Sequence, residues 1–366
     1  MTTRIAIVQR PAKLLDLPAS LELAAAHIAE AAGAGAELIV FPETWLTGYP
    51  GWAFAHAEWG SALARELYAE LLAASPVLPG GIGQLTRAAA EHRVSVVIGL
   101  NERAHPAGGT LYNSLVTIGP SGEILNVHRK LTPTHAEKLV WAPGDAAGLR
   151  AVELPAGRVG GLICWEHWNP LARAAMHAEY EDIHVAVWPD MTEEHLTASR
   201  SYAFEGRCFV IAAGLLLREA DLPERLREGY LAAIGDGLTA PPEGGYFGGG
   251  SAVIGPDGEW VLPPQHGVDR ILYAELDTER RAGMHLDLDV AGHYARPELL
   301  RLQIDRSRPT GVEELRAPAP GSPGAARAAA VPGASSRPRT PEASGPVAVA
   351  AHGTPTAPSH DRGAQP

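Results

Sequence analysis

Three side chains that could act together in catalysis follow three separate predicted strands. Glu43 follows an apolar strand, Lys130 follows the second strand of a predicted hairpin, and Cys164 ends a short buried strand. The carboxyl ends of strands in α/β sheets are where ligands and catalytic groups concentrate. A carboxylate can deprotonate a thiol, and an ammonium can stabilise the negative charge that develops when a thiolate adds to a C≡N or C=O bond. Glutamate, lysine and cysteine together therefore form a complete set for acyl-type transfer.

The stretch around Cys164 predicts a strand that leads into a helix. Residues 158–163 are small and apolar, and their two glycines would let another layer approach closely. Asn169 and Pro170 are typical of an N-cap and a first helical position, which predicts a helix through about residue 180. Cys164 would then lie near free backbone N–H groups, whose field favours a thiolate. The alternative is that Cys164 is a small hydrophobe in the core, as most free cysteines are.

The other candidate residues also have purely structural interpretations. A glutamate that follows a proline, as Glu43 does, is often a turn residue, and Lys130 beside Arg129 could belong to a solvated pair. Cys208 lies inside an apolar strand and is predicted to be a core residue. The glycine run at 248–250 precedes a strand and not a helix, so it does not predict a nucleotide-binding loop.

Composition and charge exclude several classes of protein. A net charge of −12 argues against binding to nucleic acid or to an anionic membrane surface. Two cysteines do not predict a disulfide framework, and no Cys/His spacing typical of a metal site occurs. The first residues are typical of a strand and not of a signal peptide, and no apolar run reaches the ~18 residues of a membrane span. The sequence thus predicts a cytoplasmic protein.

The elements that would position the candidate residues occur twice along the chain. Apolar strands alternate with segments of helical periodicity, which predicts an α/β architecture. Segments of the second half match the first half in pattern: 158–163 matches 4–9, 183–190 matches 37–43, 208–214 matches 95–99, and 251–259 matches 114–123. Each half is predicted as β-α-β-α-β-β, so that two mixed sheets pack face to face with helices outside, in one domain over residues 1–308. Alanine, proline, glycine and serine dominate residues 309–366, which predicts a disordered tail.

Three motifs in this order resemble the nitrilase superfamily of carbon-nitrogen hydrolases: 41–50 (FPETWLTGYP), 128–137 (HRKLTPTHAE) and 164–171 (CWEHWNPL). The resemblance spans roughly residues 4 to 305. It implies a four-layer α-β-β-α sandwich, which agrees with the architecture that the internal repeat predicts independently.

The resemblance also implies a role for each candidate residue. Glu43 would be the general base, Lys130 would stabilise the tetrahedral intermediate, and Cys164 would be the nucleophile. Glu137 matches the second glutamate of the family, which helps to orient the triad and to handle protons. The backbone N–H of Trp165 would join Lys130 in holding the developing negative charge.

Details of the motifs favour the nitrilase branch. Pro-Thr-His-Ala-Glu after the lysine, Cys-Trp-Glu-His after the strand, and GHYARP at 292–297 resemble nitrile-hydrolysing members, whereas amidases and carbamoylases usually carry a Cys-Tyr-Asp type of elbow. The implied reaction takes a small organic nitrile to the carboxylic acid and ammonia, with no cofactor and no metal. The alternatives are an amidase or N-carbamoylase that uses the same triad, a cyanide-hydrolysing enzyme, and a non-enzymatic interaction protein that keeps the fold.

Further residues are predicted to line the substrate pocket: Tyr49, His135, Trp165 and Trp188. For Tyr49 and Trp188, packing in the core is the alternative, and for His135 it is a structural hydrogen bond. Pocket size would depend on the loops at 45–57 and 192–195. The resemblance implies a homodimer or a larger homo-oligomer, with spiral filaments possible, and the apolar residues within 287–305 are predicted to meet a second copy.

Overall fold

The computed structural model describes residues 2–54, 58–224, 227 and 245–308. These residues lie in a compact unit that spans Met1–Pro309. The predicted tail, 309–366, lies outside the described residues, as does part of the predicted pocket loop, 55–57. The division into a domain and a tail therefore stays a prediction.

Apolar and β-branched segments form the strands, as their composition favours. In chain order the strands are β1 (Thr2–Gln9), β2 (Leu38–Val40), β3 (Ser95–Arg103), β4 (Leu111–Ile118), β5 (Ile124–Arg129), β6 (Val152–Leu154), β7 (Gly157–Ile163), β8 (Ile183–Trp188), β9 (Phe209–Gly214), β10 (Leu216–Arg218), β11 (Gly245–Ile254), β12 (Trp260–His266) and β13 (Arg270–Asp277).

The helices lie between these strands or follow them. They are α1 (Leu17–Gly33), α2 (Ala62–Ala74), α3 (Gly83–His92), α4 (Pro170–His177), α5 (Glu193–Gly206) and the short α6 (Arg281–Met284). The Asn169 side chain caps α4 by accepting from the N–H groups of Leu171 and Ala172, as predicted. This helix ends at His177 and not at the predicted residue 180. Tyr180 itself has a left-handed φ of 55°, which is not helical.

The strands form two sheets that confirm the internal repeat. The first sheet has the order β13-β1-β2-β3-β4-β5, and the second has the order β10-β11-β9-β8-β7-β6 with β12 beside β11. In the first sheet β1, β2 and β3 are parallel and β4 and β5 are antiparallel additions. In the second sheet β7, β8 and β9 are parallel, and β11 and β12 are the corresponding antiparallel additions. The predicted α/β sandwich is confirmed.

Strand β13 has a place that the repeat did not predict. It pairs antiparallel with β1, from Thr2 opposite Asp277 to Gln9 opposite Arg270. It therefore closes the first sheet at the edge next to β1, as β6 closes the second sheet by pairing antiparallel with β7.

The glycines of β7 allow close packing on both faces of the second sheet. A Cβ on Gly161 would lie 2.8 Å from Leu115 Cδ2 on the first sheet, and a Cβ on Gly160 would lie 2.6 Å from the end of Met176 on α4. Buried side chains of both sheets, among them Ile7, belong to one core cluster. The two sheets therefore pack face to face, with α4 on the outer side of the second. Among the described helices, none combines the length and the apolar character that a membrane crossing requires.

Candidate active site

The ends of three strands and one following turn bring four ionisable side chains together. Glu43 follows β2, Lys130 follows β5, Cys164 follows β7, and Glu137 lies in a 3₁₀ turn, His135–Leu139, after Lys130. All four are buried, with exposures of 0 to 3%. A carboxylate oxygen of Glu43, a carboxylate oxygen of Glu137 and the Cys164 sulfur lie within 4.8 Å of one another. The structure thus joins the candidate catalytic residues in one cluster.

Lys130 lies between the two carboxylates. Its Nζ donates to Glu43 Oε1 at 3.1 Å and to Glu137 Oε1 and Oε2 at 3.0 and 2.8 Å. Burial opposes its charge, but the acidic groups of Cys164, Glu43 and Glu137, which are ionised at the high pH where Lys130 would lose its proton, outweigh burial and raise the pKa of Lys130 well above its usual value. Lys130 is therefore an ammonium that forms ion pairs with both carboxylates.

Glu43 is held in the range where a general base is most useful. Burial raises the pKa of Glu43, Lys130 lowers it and Glu137 raises it, and the result is a pKa of about 7. Asn113 also stabilises the ionised form, because its Nδ2 donates to Glu43 Oε1 at 2.7 Å. The other oxygen, Glu43 Oε2, is buried and has no hydrogen-bond partner among the described residues. A base with a pKa near the working pH, and one oxygen open to a proton, suits proton transfer.

Glu137 is fixed by hydrogen bonds to both of its oxygens. The Tyr49 hydroxyl donates to Oε1 at 2.6 Å, and the Thr134 N–H donates to Oε2 at 2.6 Å. The Thr134 carbonyl oxygen in turn accepts from the backbone N–H of Glu137 at 2.9 Å, which closes the turn. Glu137 therefore holds Lys130 from a rigid turn.

Cys164 begins a 3₁₀ turn, Cys164–Trp168, with a left-handed φ of 54°. A non-glycine residue in this region is uncommon and is often found at functional sites. Burial raises the pKa of the Cys164 thiol well above its usual value and Glu43 adds to the rise, although Lys130 and the Trp165 N–H at the sulfur lower it. The Trp165 N–H thus favours the thiolate, as predicted for the local field, but burial has the larger effect. The sulfur therefore rests as a thiol, and a carboxylate oxygen of Glu43 lies within 4.8 Å of it.

A chain of buried side chains supports the Cys164 turn from behind. His167 Nδ1 lies 2.7 Å from the carbonyl oxygen of Cys164, and His167 Nε2 lies 3.0 Å from His184 Nε2. His184 Nδ1 lies 2.8 Å from Glu181 Oε1, and the Tyr202 hydroxyl donates to Glu181 Oε2 at 2.6 Å. The chain ties the turn to β8 and α5.

The protons of this chain follow from its partners. His167 must donate through Nδ1, because a carbonyl oxygen only accepts. Burial lowers the pKa of His167 to about 3, so the ring is neutral and its Nε2 accepts from His184. His184 Nδ1 then accepts from Glu181, which requires the carboxylic acid. Burial raises the pKa of Glu181 to about 8, in agreement with that form.

A cavity of about 550 Å³ opens at Cys164. Tyr49, His135 and Trp165 line it, and so do Phe54 and His195, which belong to the two loops predicted to set pocket size. The ring of His135 stacks on Phe54 with centroids 6.1 Å apart. Trp165 is half-exposed, and its Nε1 donates to His195 Nε2 at 3.2 Å. Aromatic rings thus form much of the wall.

The prediction that Trp188 lines this cavity is wrong. Trp188 is fully buried and is not among the lining residues. Its ring stacks between His167 and His195, with centroids 4.8 and 4.4 Å away. Trp188 ends β8, so its side chain fills the space behind the lining residue His195.

The donor set of Glu43, Glu137 and Cys164 resembles a cation site in its spacing alone. The Lys130 ammonium already lies 2.8 to 3.1 Å from both carboxylates. A metal ion placed among the same oxygens would meet this positive charge at close range, where repulsion is strong. The described residues are therefore arranged for an internal ammonium.

Comparisons with known proteins agree with this geometry. The family model for carbon-nitrogen hydrolases matches residues 4–285. An aliphatic nitrilase of Sinorhizobium fredii is 36% identical over 312 residues, covering 84% of this chain and 97% of that protein. An arylacetonitrilase of Aspergillus niger is 36% identical over 325 residues, covering 84% of this chain and 90% of that protein. The crystal structure of Saccharomyces cerevisiae Nit3, of the nitrilase superfamily, is 18% identical and has the same fold, with a TM-score of 0.61 over 80% of this chain and 96% of that one.

Proposed function

The chain belongs to the carbon-nitrogen hydrolase family, and we propose that it is a nitrilase that converts an organic nitrile to the carboxylic acid and ammonia. The observation that carries the proposal is the placement of Cys164 on a strained turn at a 550 Å³ cavity, within 4.8 Å of two glutamates that share one lysine. Relatives named aliphatic nitrilase and arylacetonitrilase support the nitrile as substrate.

The first half of the reaction forms a covalent thioimidate. Glu43 takes the proton of the Cys164 thiol, and the sulfur attacks the nitrile carbon. The C≡N bond becomes C=N, and the nitrogen receives the proton from Glu43. The Lys130 ammonium and the Trp165 N–H lie beside the sulfur and stabilise the negative charge that develops on the nitrogen.

The second half releases the two products. Glu43 deprotonates a water molecule, which adds to the thioimidate carbon and gives a tetrahedral intermediate. Proton transfer to the nitrogen lets ammonia leave, and a thioester on Cys164 remains. A second water, deprotonated in the same way, adds to the thioester, and the carboxylic acid leaves as the thiol regains its proton. Two waters are consumed for each nitrile, and Glu137 holds Lys130 in place throughout.

Ammonia release from a panel of aliphatic, aryl and arylacetonitriles, measured beside the matching amides, tests this function. We expect kcat/KM for the best nitrile to exceed that for its amide by a wide margin. Faster turnover of amides or N-carbamoyl compounds would instead support the amidase or carbamoylase alternative, and cyanide as the best substrate would support a cyanide-hydrolysing enzyme. Chromatography of the products would measure how much amide accompanies the acid.

A homo-oligomer is part of the proposal. The segment after β13 leaves Tyr294, Leu299 and Leu300 exposed by 58, 67 and 81%. A two-fold partner that supplies the same segment would cover this apolar surface, and further contacts of this kind could extend the dimer into a spiral. Light scattering on the purified protein decides between a monomer and an assembly.

The cytoplasm is the proposed location. Cys164 and Cys208 are both free thiols, and the mechanism requires a reduced Cys164. Thiols stay reduced in the cytoplasm, whereas they are oxidised in secreted proteins. Fluorescence of a tagged protein in its host tests this location.

A further inference from the structure

Glu166, two residues after Cys164, contacts the backbone on either side of the cluster. Its Oε2 accepts from the N–H of Ile163 at 2.8 Å, and its Oε1 accepts from the N–H of Leu131 at 2.8 Å. Ile163 directly precedes Cys164, and Leu131 directly follows Lys130. One buried carboxylate therefore holds the backbone next to the nucleophile and the backbone next to the ammonium.

A third partner keeps this carboxylate charged. His128 Nε2 lies 2.8 Å from Glu166 Oε2, and both side chains are buried. Burial raises the pKa of Glu166, but His128 and the two backbone N–H groups outweigh burial and lower the pKa below its usual value. Hydrogen bonds from backbone N–H groups to an ionised carboxylate are stronger than those between neutral groups.

The two catalytic residues that Glu166 connects come from different sheets. Lys130 follows β5 at the edge of the first sheet, and Cys164 follows β7 within the second. Their separation therefore depends on how the two sheets are joined near the site. A side chain with two acceptor oxygens, long enough to reach both backbones, fixes that separation directly.

We propose that Glu166 is a positioning residue that sets the distance between Lys130 and Cys164, a role that rests on the proposed function of those two side chains. The carboxylate matters because both of its oxygens accept. In Glu166→Gln the side-chain NH₂ group replaces one acceptor oxygen. It would face the N–H of Ile163 or of Leu131, and because both groups are donors that hydrogen bond is lost. In Glu166→Asp the charge stays, but the side chain is shorter by about 1.5 Å and reaches only one of the two backbones.

Glu102 provides a matched control. It is buried like Glu166, and it accepts from Arg129 Nε and Nη2 at 2.9 and 2.5 Å and from the Ser114 hydroxyl at 2.6 Å. Arg129 is the neighbour of Lys130 in sequence, but its guanidinium and the Ser114 hydroxyl are side-chain donors. Glu102→Gln therefore makes the same chemical change at a buried glutamate without removing a backbone tether.

Steady-state kinetics with thermal unfolding give the first test. A displacement of about 1 Å at a reacting group can cost about 10²-fold in rate. We expect Glu166→Gln and Glu166→Asp to lower kcat by about that factor while KM changes by less than about threefold. Glu102→Gln should keep kcat within about threefold of the wild-type value, even if its melting temperature falls by as much as that of the Glu166 variants. If Glu166→Gln does not fold, Glu166→Asp carries the same comparison.

Alkylation of Cys164 by iodoacetamide gives a second readout that needs no nitrile turnover. Removing the negative charge of Glu166 would by itself favour the thiolate and speed alkylation. Moving Lys130 away from the sulfur would disfavour the thiolate and slow alkylation, with Glu43 and Glu137 still beside the sulfur. We expect alkylation of Glu166→Gln to slow by about fivefold or more.

Two results would overturn the positioning role. One is alkylation of Glu166→Gln that is as fast as, or faster than, that of the wild type, and the other is a kcat equal to that of Glu102→Gln. A wild-type protein that hydrolyses no nitrile but shows slowed alkylation in the Glu166 variants would refute the proposed function and leave the positioning role supported.

Discussion

Replacing Asn113 with leucine should move the pH dependence of the reaction in one direction. Asn113 Nδ2 donates to Glu43 Oε1 at 2.7 Å inside the buried cluster. This bond stabilises the carboxylate, so its loss raises the pKa of Glu43 above the present value of about 7. In the proposed mechanism Glu43 acts as a base when ionised, so we expect the acidic limb of kcat/KM to move to higher pH.

The size of the shift follows from the strength of one such bond. A hydrogen bond to a charged group contributes about 1.5 to 3 kcal/mol, and one pH unit corresponds to about 1.4 kcal/mol. We expect a shift of about one to two pH units. The fold should tolerate the change, because the Asn113 backbone oxygen still accepts from the Lys130 N–H at 2.8 Å and because Asn113 Oδ1 has no partner to lose among the described residues.

Ammonia release from a good nitrile, measured from about pH 5 to about pH 10 at low substrate concentration, gives the profile. Ser114→Ala is the control, because the Ser114 hydroxyl donates to a different buried carboxylate, Glu102, at 2.6 Å from the next position of β4. Its acidic limb should stay where the wild-type limb lies. The acidic limb reports the apparent pKa of the coupled cluster as a whole. The difference in its position between Asn113→Leu and Ser114→Ala, however, reports the effect of the hydrogen bond to Glu43 alone. An Asn113→Leu limb that coincides with that of Ser114→Ala, or moves to lower pH, would refute the assignment of Glu43 as base.

Three further predictions follow from the buried groups and from the composition. Cys164→Ala should abolish turnover while Cys208→Ala keeps most of it, and mass analysis with a slow substrate should find the adduct on Cys164; an adduct on Cys208 would remove the mechanism. Glu181 should contribute a fall in stability as pH rises from about 4.5 to about 8, because its carboxyl ionises in the unfolded chain above about pH 4.5 but keeps its proton in the folded chain up to about pH 8. Glu181→Gln, whose amide can still donate to His184, should flatten that slope in denaturant titrations at about pH 5 and about pH 8, and equal slopes would contradict the proton assignment. Truncation after residue 309 should leave an active dimer by light scattering, and loss of the fold would refute the prediction of a dispensable tail.

The sequence predicted the parts of the site that are local to a motif. Strand ends placed Glu43, Lys130 and Cys164, and the resemblance added Glu137, because each belongs to a short segment with its own pattern. The internal repeat predicted the two sheets for the same reason, since each strand is visible as an apolar run. The place of strand β13 was not predicted because its partner β1 is more than 250 residues away along the chain, and no local pattern records that pairing.

The residues that the sequence missed act through contacts that are distant along the chain. Asn113 lies 70 positions from Glu43, and nothing in β4 distinguishes it from a polar residue on an open face. Trp188 was misplaced because a tryptophan at a strand end can point toward the cavity or behind it. The sequence indicated the local field at Cys164 but not the larger effect of burial on its pKa, because burial is a property of the whole fold.

The charge balance of the cluster explains how so many ionisable groups can be buried together. Removing an isolated charge from water is costly, whereas a charge that stays paired and hydrogen-bonded is tolerated. In the proposed transfer of a proton from Cys164 to Glu43, one anion disappears and another appears within 4.8 Å, beside the same Lys130 ammonium. The net charge of the site therefore does not change during activation of the nucleophile, and neither does the charge that the fold must bury. Deep burial raises the pKa of both Glu43 and Cys164. A site whose total buried charge stays the same when the proton moves is thus suited to passing one proton from sulfur to carboxylate and then to the nitrile nitrogen.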